Sequence, residues 1–529
     1  MSTSSGSPDS KSNRNLFIAS FLTLIAAGIG FAVRGGVLGD WGAQFGFTKS
    51  ELGTITGGGL VGFGVTIIVC SFIADWVGYK PLMVIAFLLH ALSAVITLAA
   101  TPIYAAMGKD ATYWCLFIGM FMFALGNGLC ETVINPLVAT LYPKQKTHYL
   151  NILHAGWPGG LILGGLIGYA FVGNEAAVTH LRWEIPLGLF LVPTLMYGLM
   201  ILKEKFPQSE AREAGVDVGT MLAQFASPVL LLLLVLHAMV GYVELGTDSW
   251  IMNIMKNVIQ GKETLLFIYT SALMFVLRFF AGPIVERINP IGLLLMSAVL
   301  GAVGLYALGA ATAGFAIIAA ATIYGIGKTF LWPTMLGVVG ERFPKGGALT
   351  MGAMGGIGML SAGLLGGPGI GYKQDYFASE NLKEVSAEAY DRYKSADQNG
   401  FLMFPKISGL DGRKVAVVSD EGKELAQTAA LLETQPGNEK LKADTAQLQE
   451  WWKEAETHAK TDQPQVGAAG IYGGRMALKW TAAVPAAMAV GYLLLFLYFA
   501  AQGGYQQAVL HGEKPDGERY TGGVQGPVE

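Results

Sequence analysis

Charge is scarce in this chain. Of 529 residues only 14% are Asp, Glu, Lys or Arg, against 52% hydrophobic, and the net charge is -3. That balance argues against nucleic acid as a partner. Cysteine is scarcer: Cys70, Cys115 and Cys130 all fall in apolar runs. They make neither a disulfide framework nor metal-ligand spacing. There is no nucleophile–base motif, metal cluster or phosphate-binding loop, so an enzyme and a cofactor are not expected; the Gly-x-x-x-Gly spacings read as helix packing. A cleavable leader is not expected either. The first fifteen residues are polar and Ser-rich, with Lys11 and Arg14. The run behind them is too long for a signal segment and has no convincing cleavage site, so it reads as an uncleaved first span.

What is present is apolar length. The mean hydropathy is +0.46, spread along the chain as expected of a polytopic membrane protein. Twelve runs are long enough to cross about 30 Å of hydrocarbon, near 16–38, 52–74, 82–100, 113–141, 150–173, 184–202, 228–252, 263–284, 291–311, 315–340, 348–371 and 476–501. Backbone polar groups in lipid must be satisfied internally, so these are helices. A polar segment, 203–227, divides them six and six as a linker. The organisation expected is an N-terminal tail (1–15), a six-helix bundle (16–202), the linker, spans seven to eleven (228–371), a polar insertion (372–474), span twelve (475–501) and a tail (502–529) expected to be disordered. Lys and Arg favour the linker side, which places the linker and both termini in the cytoplasm and the insertion outside. Within the insertion, EVSAEAYDRYKSA and EKLKADTAQLQEWWKEAETHA have helical composition, and DGRKVAVVSD reads as a short strand pair. The adjacent Trp451 and Trp452 suit a small core of its own or a lid; the insertion's external partner is open.

The chain is organised around Asn127–Trp157. Glu131 lies mid-run with Asn127 and Asn135 at i±4, on one helix face. Pro136 and a short basic loop follow, and the next run opens with Asn151 and His154. An ionisable group inside a span is costly and marks a cavity or a partner. The halves echo each other: Ser71-x-x-x-Asp75 with Lys80 follows span two, and Gly282-x-x-x-Glu286-Arg287 follows span eight. Each puts a carboxylate four residues after a small residue at a tight turn, where it can accept from amides at a helix start. Asp75, Lys80, Glu286 and Arg287 are thus candidate gating residues. A parallel repeat of six spans relates the halves by an axis along the membrane normal.

Those loops resemble the Gly-x-x-x-Asp-Arg-x-Gly-Arg-Arg signature of the major facilitator superfamily, with Ser71 for Gly and Trp76 for Arg. Glu131-Thr-Val-Ile-Asn135-Pro136 and Leu150-Asn151-Ile-Leu-His154 resemble the Glu-x-x-x-Asn-Pro and Leu-Asn-x-x-Gln pattern of the fucose–galactose–glucose proton symporters. The resemblance implies an all-α fold of two six-helix bundles around a central cavity, and proton-coupled sugar uptake across a cell membrane, the bacterial inner membrane. It implies Glu131 as proton carrier, with His154 where that family has a substrate-binding Gln. The family's Asn-Asp pair in span one aligns with Arg34-Gly35.

The mid-span charges fall on every third helix: Arg34, Glu131, Glu244 with Asp248, and Lys328. The superfamily fold lines its cavity with those helices. At 1.5 Å per residue, Glu244 and Lys328 differ in depth by roughly 6 Å, whereas Arg34 and Glu131 differ by roughly 12 Å. A Glu244–Lys328 pair is therefore expected, with Glu131 free to titrate. Tyr324 and Trp332, at i±4 from Lys328, suit stacking on a sugar ring. Arg278 reads as part of the loop network, and His237 as packing or gating. The candidate solute site is Arg34, Asn127, Asn135, Asn151, His154, Glu244, Asp248, Tyr324, Lys328 and Trp332. Two other functions stay open: transport of an anionic or nucleoside-like solute, for which Arg34, Lys328 and His154 speak, and a non-transporting sensor or scaffold working through the insertion.

Overall fold

The structure is a computed structural model that describes residues 10–47, 49–171, 181–259, 263–312, 314–434, 439–508 and 510. Most of the two expected tails, 1–9 and 511–529, lies outside these residues. Eleven of the described helices are long and apolar enough to cross a membrane, and a shorter apolar helix, Thr264–Arg278, completes twelve spans. Spans one to six are carried by Ser10–Gly36, Lys49–Val77, Tyr79–Leu98, Ala100–Leu141, Lys146–Phe171 and the pair Glu184–Gly188 and Leu191–Lys203.

Spans eight and nine meet at a turn inside the expected 285–290 connection, with span eight running further than expected. Helix Glu263–Arg278 resumes as Ala281–Ala310, and the backbone reverses at Asn289 (φ 56°). Span eight therefore reaches Ile288. The equivalent turn between spans two and three is Gly78 (φ 92°). Glycine takes that conformation freely, and asparagine is among the few other residues that tolerate it. Gly78 lies seven residues after Ser71, as Asn289 does after Gly282, so the loop repeat is also a repeat in backbone shape.

The halves pack as exchanged copies. Span two lies along span eleven, and span five along span eight. Within the N-terminal half, spans one and five approach through Gly28, Gly156, Gly160 and Gly164, small residues that let helix axes come close. Spans seven and eleven use Gly241 against the Gly358 carbonyl and Gly246 against Gly366. Here both helices carry a π-turn, Tyr242–Gly246 and Ala362–Gly366, and the two turns touch.

The linker forms two short helices, Glu210–Glu213 and Val218–Ala223, capped by the side chains of Ser209 and Asp217. Its end of the bundle is closed by bonds between the halves. Lys146 Nζ reaches Glu210 (2.6 Å) and the Gly340 carbonyl (3.2 Å), and Thr147 Oγ1 donates to Glu341 (2.6 Å). The segment after Gln502, expected to be disordered, docks there in part. Tyr505 is buried and donates to Glu341 Oε2 (2.8 Å), and the Gln507 amide reaches the Pro143 carbonyl (2.7 Å).

At the other end, span eleven was expected to stop at 371 and span twelve to start at 476. Their helices continue past the apolar stretch as Gly367–Val385 and Ala459–Thr481, packed side by side. Polarity there marks the loss of lipid contact, not the end of the helix. Between them fold Ala387–Tyr393, a strand pair Asn399–Phe401 and Phe404–Ile407, and helices Gly412–Ser419, Lys423–Thr434 and Glu439–Ala455. The expected strand pair in DGRKVAVVSD is instead the helix Gly412–Ser419, whose first amides are capped by Asp411. The insertion has its own core of Leu382, Ala389, Tyr393, Val418, Val466 and Ala469, with Trp451 and Trp452 packed on it. Trp451 meets Tyr393 edge-on and donates to the Arg392 carbonyl. Asp462 of Ala459–Thr481 pairs with Arg392 of Ala387–Tyr393 at 2.8 Å, and its hydrogen bonds raise the guanidinium's pKa.

Candidate functional site

A cavity lies where the two bundles meet, lined from eight spans. Leu24 and Ala27 come from span one, Phe63 from span two, Asn127, Cys130 and Glu131 from span four, and His154 and Trp157 from span five. The other half supplies Glu244 and Leu245, Arg278, Trp332 and Met359. The open space is about 30 Å³, on the order of a water molecule or two. A sugar-sized solute therefore needs the bundles to part.

Glu131 is buried, and its Oε2 accepts from the Asn135 amide at 2.6 Å. Among the described residues no cation lies within ion-pair distance of it. The oxygen of Asn135 meets His154 Nε2 at 2.8 Å. Asn135 thus joins Glu131 to His154 from behind the cavity wall. The His154 carbonyl accepts from Arg278, whose guanidinium also donates to the Thr329 carbonyl (2.8 Å) and to Glu244 (3.2 Å). A polar chain therefore crosses the bundle interface from Glu131 to Glu244. Two helix breaks make it possible. Span eight is interrupted after Arg278, and span ten between Thr329 and Leu331, which frees the Thr329 carbonyl for the guanidinium.

Two expectations are corrected here. Arg278 does not belong to the loop network: span eight continues to Ile288, which puts Arg278 mid-span and fully buried in the cavity wall. Glu244 pairs with Arg278 and not with Lys328. The expectation rested on depth along the helices alone, and the π-turn that carries Glu244 adds a residue to one helical turn and so changes the face it presents. Lys328 instead holds Asp248 with both carboxylate oxygens, at 2.6 and 2.7 Å. Glu244 Oε2 has no hydrogen-bond partner among the described residues.

Of the sequence-derived candidates, Asn127, Glu131, His154, Glu244 and Trp332 line the cavity. Asn127 also bonds His90, whose other ring nitrogen meets Tyr197. Trp332 packs on His237, with ring centroids 4.6 Å apart. The remainder are not on the wall. Asn151 bridges to Thr334 (3.1 Å), Tyr324 donates to the Val243 carbonyl (3.1 Å), and Lys328 and Asp248 are occupied with each other. Arg34, expected to face the cavity, is inside the N-terminal bundle. It sits over the rings of Phe123 (4.0 Å) and Phe190 (4.8 Å) and bonds Ser93. It lies roughly 10 Å along span one from Ala27, where the interior is aromatic.

The loop residues divide. Asp75 accepts from the Ala348 amide (2.8 Å) at the start of span eleven, a carboxylate at a helix N-terminus. Lys80 donates to the Leu202 and Glu204 carbonyls at the end of span six. For Glu286 and Arg287 no hydrogen bond or ion pair is found among the described residues; the second loop meets the other half through Gly282, whose amide donates to His148. Sequence reasoning missed Arg278, Trp157, Phe63 and Met359. The Asn289-Pro290 turn was the available signal for Arg278.

Two bundles, a cavity between them and buried charge at their interface describe a membrane transporter. Residues 16–367 match the sequence model of the Major Facilitator Superfamily, and the chain belongs to that family. Among solved structures it is similar to FucP, the Escherichia coli fucose:proton symporter, in its outward conformation (18% identity, 69% of this chain and 93% of that one, TM-score 0.56). It is also similar to the proton:xylose symporter XylE (14% identity, 72% and 90%, TM-score 0.57) and to a bacterial homologue of the human lysosomal transporter Spinster (15%, 95% and 100%, TM-score 0.61). A curated relative, Monosaccharide-sensing protein 2 of Arabidopsis thaliana, is 24% identical over 136 residues, a quarter of this chain. The match spans only 17% of that relative's length. At these identities the structural likeness speaks for the fold.

Proposed function

We propose that the protein is a proton-coupled symporter that takes up a sugar by alternating access, with Glu131 as the proton carrier. The observation that carries this reading is the contrast between the two cavity carboxylates. Glu244 is tied to Arg278, whereas Glu131 is held by a neutral amide. A carboxylate without a cation partner can gain and lose a proton without breaking an ion pair. The Asn135 link to His154 couples its protonation to span five, which packs on the opposite half. Asn127, His154, Glu244 and Trp332 would meet the solute: three polar side chains and an indole face suit a ring bearing hydroxyl groups. The symporters named above support the same reading.

In this reading Asp75, Lys146 and Thr147 hold the linker end shut, while Lys80 ties span three to the end of span six, and parting of the halves breaks the bonds to Ala348, Gly340 and Glu341. The linker and both termini are cytoplasmic and the insertion external, in the bacterial inner membrane. Protease added to intact cells should then cut the insertion.

A second reading, an anionic solute, has Arg278 on the cavity wall in its favour, and a human organic anion transporter is among the similar structures. Against it, Glu244 already neutralises Arg278, and Glu131 adds negative charge. The test is uptake into vesicles of a labelled panel of neutral sugars and sugar acids, with and without a pH gradient. Gradient-driven accumulation of a neutral sugar is the expected result. Accumulation of acids alone would favour the second reading. Binding of a sugar without any uptake would favour a sensor.

A further inference from the structure

We propose that the β-hairpin of the insertion dips into the lipid bilayer beside span eleven. This inference is independent of the solute. The hairpin pairs Asn399–Phe401 with Phe404–Ile407, and its turn is made by Leu402 (φ 49°) and Met403. Leu402 is 69% exposed, Met403 88% and Phe404 51%. Three consecutive apolar side chains are exposed at the tip of the hairpin, Leu402 and Met403 the most and Phe404 on one side. In water such a patch is unfavourable, and it marks a contact surface.

The contacts along the hairpin give its direction. Gly409 lies against Asp375, the Pro405 carbonyl accepts from the Tyr372 hydroxyl (2.9 Å), and the Phe401 ring lies against Gly369. These partners descend span eleven toward the bundle, so the tip points at the membrane and not away from it. The membrane boundary can be placed from the neighbours. Arg475 donates to the Gly309 and Ala310 carbonyls, the last of span nine. Gly473 lies against Gln374 and Ala378. The end of span nine is therefore about level with Tyr372 to Gln374 on span eleven. From Tyr372 down to Gly369 is roughly 4–5 Å along the helix, and the tip extends further. That depth matches the headgroup–acyl boundary where apolar side chains bind at an interface. Tyr372, Tyr376, Phe401 and Phe404 stack there with ring centroids 5.8–6.5 Å apart, as interfacial aromatic belts do. Lys406 follows on the second strand, where its stem can cross the interface.

The test uses the full chain in phosphatidylcholine vesicles. Met403→Cys is labelled with an environment-sensitive fluorophore, Glu424→Cys serves as the control in the insertion, and the unlabelled parent gives the baseline. A lipid carrying a shallow nitroxide should quench the Met403 label about threefold or more beyond the control, and aqueous iodide should quench it less than the control. Leu402→Cys should behave as Met403→Cys does, which guards against one misfolded variant. Quenching by iodide without quenching by the nitroxide would place the tip in water and overturn the proposal. Shielding from both quenchers would mean that protein covers the tip, as a lid over the cavity would, and would overturn it too.

Discussion

The two bundles share a fold and differ in how they hold charge. The C-terminal half encloses two closed pairs, Arg278–Glu244 and Lys328–Asp248. The N-terminal half keeps its mid-span cation and its mid-span carboxylate apart: Arg34 rests between aromatic rings, and Glu131 on an amide. A pair inside a bundle fixes geometry but cannot titrate without leaving a bare partner. A carboxylate on an amide can. Under the proposed function, the half whose cavity carboxylate has no ion-pair partner among the described residues is the half that carries the proton.

The comparison breaks most visibly at Arg278. Arg278→Ala leaves Glu244 buried without its cation and strips the Thr329 and His154 carbonyls of their donor. A loss of about 3–5 kcal/mol is expected, seen as a lower melting temperature in detergent together with loss of uptake. Arg278→Lys should recover only part of this, because one ammonium cannot replace the planar fork that serves three acceptors. Normal stability of both variants would contradict the cross-bundle chain.

Lys328→Met comes next. It leaves Asp248 unpaired, but Asp248 keeps some contact with solvent at 14% exposure, so about 1–2 kcal/mol is expected. The double variant Lys328→Met with Asp248→Asn should recover most of that loss. If Glu244→Gln rescues Lys328→Met and the Asp248 change does not, the pairing described here is wrong.

The smallest effect is expected at Arg34. It has no carboxylate partner among the described residues, so Arg34→Met trades a stacked guanidinium for an apolar side chain of similar length. Stability should change by about 1 kcal/mol or less, and uptake should persist with little change in apparent affinity. A selective loss of solute affinity would return Arg34 to the cavity.

Much of this was legible in the sequence where a local pattern sets the structure. Apolar length gave the spans, and the Asn127–Glu131 face with His154 one helix later gave one side of the cavity. The paired loops gave the repeat. What was illegible depended on departures from helical regularity. Depth alone paired Glu244 with Lys328, and depth does not say which face of span seven a side chain takes, least of all through a π-turn. The breaks at Arg278 and Thr329 come just before Pro283 and Pro333, which remove the helical donors to the Phe279 and Thr329 carbonyls; that signal was left unused, and the guanidinium between the breaks was assigned to a loop. Arg34 failed for another reason: belonging to a cavity-lining helix says nothing about depth, and two turns along span one the interior is aromatic. Polarity also misled at the insertion, because spans eleven and twelve continue as a helical stalk beyond the lipid.

The central claim is that Glu131 carries the proton, and one substitution reads it directly. Glu131→Gln keeps the bond to Asn135, preserves size and removes the titrating group. In vesicles loaded with the transported sugar, the variant should still exchange labelled for unlabelled solute, because exchange needs no net proton movement. It should fail to accumulate solute under an imposed pH gradient. Accumulation by Glu131→Gln that rises and falls with the pH gradient would contradict the account and make Glu131 a structural residue.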